Sequence, residues 1–190
     1  MGPSANYYEF MPPCERWEKL KHEALTQLFY GDYICYHKLT NWLLQIMANG
    51  FPKEHLFFIF SHDKVASLLS KNEKYDIINI DHHHDISYSA EEIPLGCGNW
   101  VEYLYKQNCI NSYTWIHNSN SCFPMPNAIK TKVNFNYSHQ DFNEFNLNSL
   151  NPDLIIICFS PEWIPPHLHP LFFTWVDMAS YFYNKKFEIE

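Results

Sequence analysis

The order of apolar and polar positions divides the chain into strands and helices. Residues 1–13 carry three prolines and read as an irregular lead-in. From Glu15 to Tyr30, Trp17, Leu20, Ala24, Leu25, Leu28 and Phe29 recur at helical spacing. Asp32-Tyr33-Ile34-Cys35-Tyr36 predicts a strand. A helix then runs through Trp42, Leu43, Ile46 and Met47 until Asn49-Gly50 stops it. His55 to Phe60 predicts a second strand, Asp63 to Ser70 a helix, and Tyr75 to Asn79 a third strand. After Gly96-Cys97-Gly98 comes a helix from Asn99 to Gln107, then a fourth strand from Ser112 to Ile116. Residues 118–150, rich in Asn, Ser, Pro and Phe, read as a loop-rich excursion with one strand near Lys132 to Phe135. Leu154 to Phe159 is apolar throughout, as in a fully buried strand, and Leu171 to Tyr183 forms a closing helix.

Strands alternating with helices predict an α/β fold, three-layer α/β/α with a mostly parallel sheet. In such sheets, sites gather at the carboxyl ends of strands. The length of 190 residues suits one domain spanning 1–190. A hydrophobic content of 46% and an aromatic content of 18% are those of a folded chain rather than a disordered one. The formal net charge of -8 disfavours a nucleic-acid or anionic-membrane partner and attracts cationic ligands. No run approaches the roughly 20 apolar residues of a membrane span, and no secretory signal is expected. The six cysteines form no C-x-x-C pair, so a structural zinc site is not expected. Cys35 and Cys158 read as small core residues, and a reduced, cytoplasmic setting fits.

The chemistry concentrates in Ile80-Asp81-His82-His83-His84-Asp85-Ile86, directly after the third strand. If the extended backbone continues, Asp81, His83 and Asp85 face one side. Two carboxylates and an imidazole suit Mn²⁺, Fe²⁺ or Zn²⁺ better than Ca²⁺. A polar surface loop is the plainer alternative. The second strand ends in Phe60-Ser61-His62-Asp63 and the last in Phe159-Ser160-Pro161-Glu162. In a parallel sheet these ends share an edge, which makes His62 and Glu162 candidate metal ligands. His62 competes with a helix-capping role for Ser61 or Asp63, and with His37 as a rival first histidine. His82 and His84 alternate away from His83, as supporting or surface residues do. Asn99 reads as a helix cap, and Trp100, Trp115 and Trp163 as core or pocket wall. A tryptophan wall also suits a stacked guanidinium.

With these strand ends the chain resembles the arginase-fold (ureohydrolase) proteins. Their G-G-D-H, D-x-H-x-D and S-x-D-x-D motifs stand at strand ends around two manganese ions. Asp81-x-His83-x-Asp85 matches the middle motif in full. His62 stands where the first motif has its histidine, without the glycines. Ser160-x-Glu162 matches the start of the last motif with Glu for Asp, and its second acid is replaced by Ile164. The chain is more closely similar to a small arginase-like family that includes the peptide arginases of ribosomal-peptide biosynthesis. Asn99-Trp100-Val101 and Trp115-Ile116-His117 carry that likeness, which covers roughly residues 55–165. It implies two Mn²⁺ ions, with Asp81 bridging them, Asp85 and His62 completing one, and His83 and Glu162 the other. It also implies conversion of arginine side chains in a precursor peptide to ornithine with release of urea. A metal-activated water at Asp81 would attack the guanidinium. The proton for the departing amine would come from His84, His117 or His37. Arginases bind the free amino acid through a segment ending S-G-N-x-H. Here Cys97-Gly98-Asn99 is followed by no such histidine, so a peptide substrate is expected. A deacetylase-like amide hydrolase and a non-catalytic metal-binding or interaction protein are the alternatives.

Overall fold

The computed structural model describes residues 25–86, 94–117, 136–161 and 168–190. In chain order the elements are α1 (Leu25–Ala48), β1 (Leu56–Ile59), α2 (Val65–Leu68), β2 (Tyr75–Ile80), α3 (Trp100–Lys106), β3 (Ile110–His117), β4 (Asn136–Asp141), β5 (Ile155–Cys158) and α4 (His169–Tyr183). Short 3-10 turns occupy Lys53–His55, His62–Lys64 and Leu147–Ser149. Every paired strand is parallel to its neighbour: β1 to β5, β2 to β3, and β3 to β4. The protein is thus mixed α/β with parallel strands in open sheets. The chain divides into two compact units, residues 1–60 with 146–190, and residues 61–145.

In the first unit, α1 replaces the strand expected at Asp32 to Tyr36. The cause is visible in its burial. Cys35, Tyr36, Leu39, Thr40, Trp42, Leu43, Ile46 and Met47 are the shielded positions, a stripe that repeats every three to four residues. Cys35 and Tyr36 therefore belong to a helical stripe and not to a separate strand. Gly50, at φ +88, ends the helix in the left-handed conformation that glycine adopts without a Cβ clash. Its N–H donates to the Met47 carbonyl at 2.9 Å, and the Phe51 N–H to that of Ile46 at 3.2 Å.

Leu43, Met47, Leu56, Phe58, Phe159, Phe172, Val176 and Phe187 form the core of this unit. Phe58 meets Phe172 and Phe187 edge-on, with ring centroids 5.8 and 5.6 Å apart. Two polar tips of its aromatic side chains are satisfied locally, whereas the buried Trp42 Nε1 meets no acceptor among the described residues. Tyr183 Oη donates to the Phe51 carbonyl at 2.7 Å, and Trp175 Nε1 to Thr40 Oγ1 at 2.8 Å. Cys35 and Cys158 are half-buried. The β1–β5 register pairs Ile59 with Cys158, so Ser160 follows β5 at the edge where β1 ends, as expected.

In the second unit, β2 and β3 are parallel and joined through α3, the helical crossover that parallel pairing requires. α3 buries Trp100, Val101 and Leu104. Asn108, at φ +60, turns the chain out of α3 into β3. Tyr113, Trp115 and Ile116 of β3 are buried. β4, Asn136–Asp141, lies within the expected excursion but outside its expected strand. Its residues are mostly exposed and polar, so no apolar alternation announces it. The expected helix start at Glu15 to Ala24, the strand at Lys132 to Phe135, and Glu162, Trp163 and Ile164 lie outside the described residues. Among the described residues no helix is long and apolar enough to cross a membrane.

Candidate metal centre

The end of β2 supplies the first acid. Asp81 continues the ladder by one residue, its N–H donating to the Ile116 carbonyl at 3.1 Å. The extended backbone stops there. Asp81 Oδ1 accepts from the His82 N–H at 2.5 Å and more weakly from the His83 N–H at 3.5 Å, an Asx-type turn. Four residues on, Asp85 takes φ +51, a left-handed conformation that Asp tolerates better than most residues. The turn therefore overrides the strand alternation on which the convergence of Asp81, His83 and Asp85 depended.

The result is a group of His62, Asp81 and Asp85, each offering one ligand atom within 4.8 Å of the others. His62 Nδ1 lies 3.5 Å from Asp81 Oδ2 and 3.4 Å from Asp85 Oδ2. His62 begins the short turn after β1, and Ser61 makes no side-chain cap there. The histidine expected from this strand end thus joins the two acids. His83 does not belong to the group. Its ring stands edge-on to that of His82, centroids 4.8 Å apart.

Asp85 is the buried member, with its side chain 3% exposed. Trp100 Nε1 donates to Asp85 Oδ2 at 2.6 Å, and the Val101 N–H to the Asp85 carbonyl at 3.3 Å. The start of α3 thus grips this residue by side chain and backbone. Burial first, and the adjacent Asp81 charge second, push the Asp85 carboxyl well above its ordinary range, while the Trp100 N–H opposes them. Further support comes from β2 and β3. Asn79 Nδ2 donates to Tyr113 Oη at 3.0 Å and to the His83 carbonyl at 3.3 Å. Tyr113 Oη donates to the His84 carbonyl at 2.7 Å, and Trp115 Nε1 to the Asp81 carbonyl at 2.9 Å. The loop is therefore held by three side chains of the sheet.

These residues fit a divalent cation. A metal held at about 2.1 Å by imidazole nitrogen and carboxylate oxygen brings its donors to about 3–3.5 Å of one another, which is the spacing from His62 to each acid. A buried carboxyl beside a second carboxylate is costly until a cation neutralises both. No family model, curated protein or solved structure matches this chain. The geometry alone carries the assignment: His62, Asp81 and Asp85 could bind a metal ion.

The three histidines considered for proton transfer occupy different settings. His84 is buried, and its Nδ1 accepts the Ile86 N–H at 3.0 Å. Burial, then the neighbouring His83, lower its pKa to about 4, so it is neutral at pH 7 with the proton on Nε2. His37 is exposed in the middle of α1 and follows no strand. His117 ends β3, half-buried, with its ring 4.9 Å from that of Trp115. Asn99 does not cap α3 through its side chain. Its amide instead closes the preceding loop, with Oδ1 accepting the Gly96 N–H at 2.7 Å and Nδ2 donating to the Pro94 carbonyl at 3.0 Å. The sequence reading missed the roles of Asn79, Tyr113 and Trp100. Their polar atoms sit on strands or on a side chain read as core, and only Trp100 carried a signal, through its place directly after Asn99. A separate cleft of about 430 Å³, lined by Trp42, Ile46, His55, Leu150 and Asp153, belongs to the first unit.

Proposed function

We propose that this chain is a divalent-metal hydrolase that acts on arginine side chains within a peptide, leaving ornithine and releasing urea, with manganese as its metal. The observation that carries the reading is the convergence of His62 with Asp81 and the buried Asp85. Bound there, a divalent cation would lower the pKa of water toward neutrality and so supply the nucleophile. Asp81 keeps one carboxylate oxygen on the His82 N–H and turns the other toward His62. Asp85 is oriented by Trp100, so its oxygen is aimed before any ligand arrives. The motif likeness supplies the substrate class. A peptide is favoured over free arginine because Asn99, where arginases bind the amino acid, has its amide engaged by Pro94 and Gly96.

A second reading is a one-ion amide hydrolase of the deacetylase type. The described residues group one histidine and two acids and leave His83 outside, which favours a single ion. The test is incubation with manganese and an internal-arginine peptide. The reading predicts a mass loss of about 42 Da per arginine, the difference between guanidine and amine after hydrolysis, with urea in equal amount. An unchanged arginine peptide together with loss of acetyl groups from an acetyl-lysine peptide favours the second reading.

A further inference from the structure

His117 and His139 form a cross-strand pair outside the His62 group. The β3–β4 register sets Trp115 opposite His139 and His117 opposite Asp141, so the two histidines are diagonal neighbours on one face. His117 Nε2 and His139 Nδ1 approach to 3.4 Å. That is long for a direct hydrogen bond, which for N–H donors spans about 2.7–3.2 Å. It matches two imidazoles on one tetrahedral cation, where metal–nitrogen bonds of about 2.0–2.1 Å set the nitrogens about 3.3–3.4 Å apart. Neighbouring rings restrict both imidazoles. Trp115 lies 4.9 Å from His117, and Tyr137 lies 6.1 Å from His139 while stacking on Tyr113 at 6.0 Å. His139 is exposed and His117 half-buried.

We infer that His117 and His139 form a second cation site, one that takes a nitrogen-preferring divalent metal such as Zn²⁺. Imidazole ligands suit zinc, copper and nickel, whereas the carboxylate-rich His62 group also suits manganese. The two sites therefore sort metals by donor chemistry. This inference uses residues outside the His62 group and stands whether or not the protein hydrolyses arginine peptides.

The test is a zinc chloride titration of the metal-free full chain at neutral pH, following the histidine ring nitrogens by NMR. Asp85→Asn serves as the background, since it disables the first site. Zinc should shift His117 Nε2 and His139 Nδ1 in that background. His139→Gln and His117→Gln should each weaken this binding at least 10-fold while leaving the backbone spectrum of β2 and α3 in place. If one substitution disturbs folding, the ring shifts of the Asp85→Asn protein decide alone. Unchanged ring nitrogens at saturating zinc, or full zinc binding in either folded glutamine variant, overturn the inference.

Discussion

Leu43, Phe58, Phe159, Phe172 and Phe187 fill the interior of the first unit, whereas the second buries His84, Asp85 and Asn99 among its apolar side chains. Both units shield aromatic rings and both are built on parallel strands. They differ in what the burial costs. In the first, ring packing favours the folded state directly. In the second, part of that gain is offset by a carboxyl driven above its ordinary range and a histidine driven below its own. A core that only had to fold would replace such groups with apolar ones. The contrast singles out the loop after β2 as the place where a bound cation could offset that cost.

That contrast can be broken most sharply at Asp85. Asp85→Asn keeps an acceptor for Trp100 and removes the charge, so metal affinity should fall at least 100-fold while the metal-free protein is no less stable. Calorimetric titration with Mn²⁺ and thermal unfolding of the metal-free variant measure the two effects. A large loss of metal-free stability would mean that Asp85 serves the fold first.

Phe58→Ala should do the reverse. Truncating a phenylalanine that is 1% exposed should cost about 3–5 kcal/mol in denaturant unfolding. The metal affinity of the folded fraction should stay within 2-fold.

The buried His84 adds a pH signature to the second unit. Its folded pKa of about 4 lies below its ordinary 6.5. The unfolded chain therefore takes up a proton that the folded chain refuses. The associated stability is complete above pH 6.5 and is lost as pH falls toward 4, by roughly 3 kcal/mol. Asp85, with its pKa raised, has the opposite sign: its carboxyl favours the metal-free fold at low pH and stops doing so as pH rises past the ordinary carboxylate range. Unfolding curves of the wild type and of His84→Gln across this range separate the two, since only the histidine contribution should vanish in the variant.

Trp100→Phe gives the smallest change. The ring remains, the N–H to Asp85 is lost, and metal affinity should fall about 10-fold because the proton then competes better for the carboxylate. An unchanged affinity would remove Trp100 from the site.

The parts of the fold legible in the sequence were those with a single strong period or a clear stop. The stop at Gly50, the apolar runs of β2 and β5, and the stripes of α3 and α4 are of that kind. Asp32 to Tyr36 reads as a strand because four apolar and aromatic residues in a row, Tyr33 to Tyr36, satisfy a strand as well as a helical stripe. β4 was silent because an exposed strand rich in Asn, Ser, His and Gln has no apolar face to alternate. In the site, His62, Asp81 and Asp85 were legible from their positions at strand ends. His83 was expected among them on the assumption that the backbone stays extended. Whether a chain turns at Asp81 or enters the left-handed region at Asp85 depends on hydrogen bonds from Trp100, Asn79 and Tyr113, and spacing does not encode those.

The central claim is that His62, Asp81 and Asp85 together hold a divalent metal. Paramagnetic broadening by Mn²⁺ in NMR spectra of the full chain tests it most directly, because broadening falls steeply with distance from the ion. The account predicts that substoichiometric Mn²⁺ selectively erases the His62 ring signals and the amides from Asp81 to Ile86, and that Asp85→Asn restores them. Uniform weak broadening, or selective broadening centred elsewhere in the chain, would contradict it.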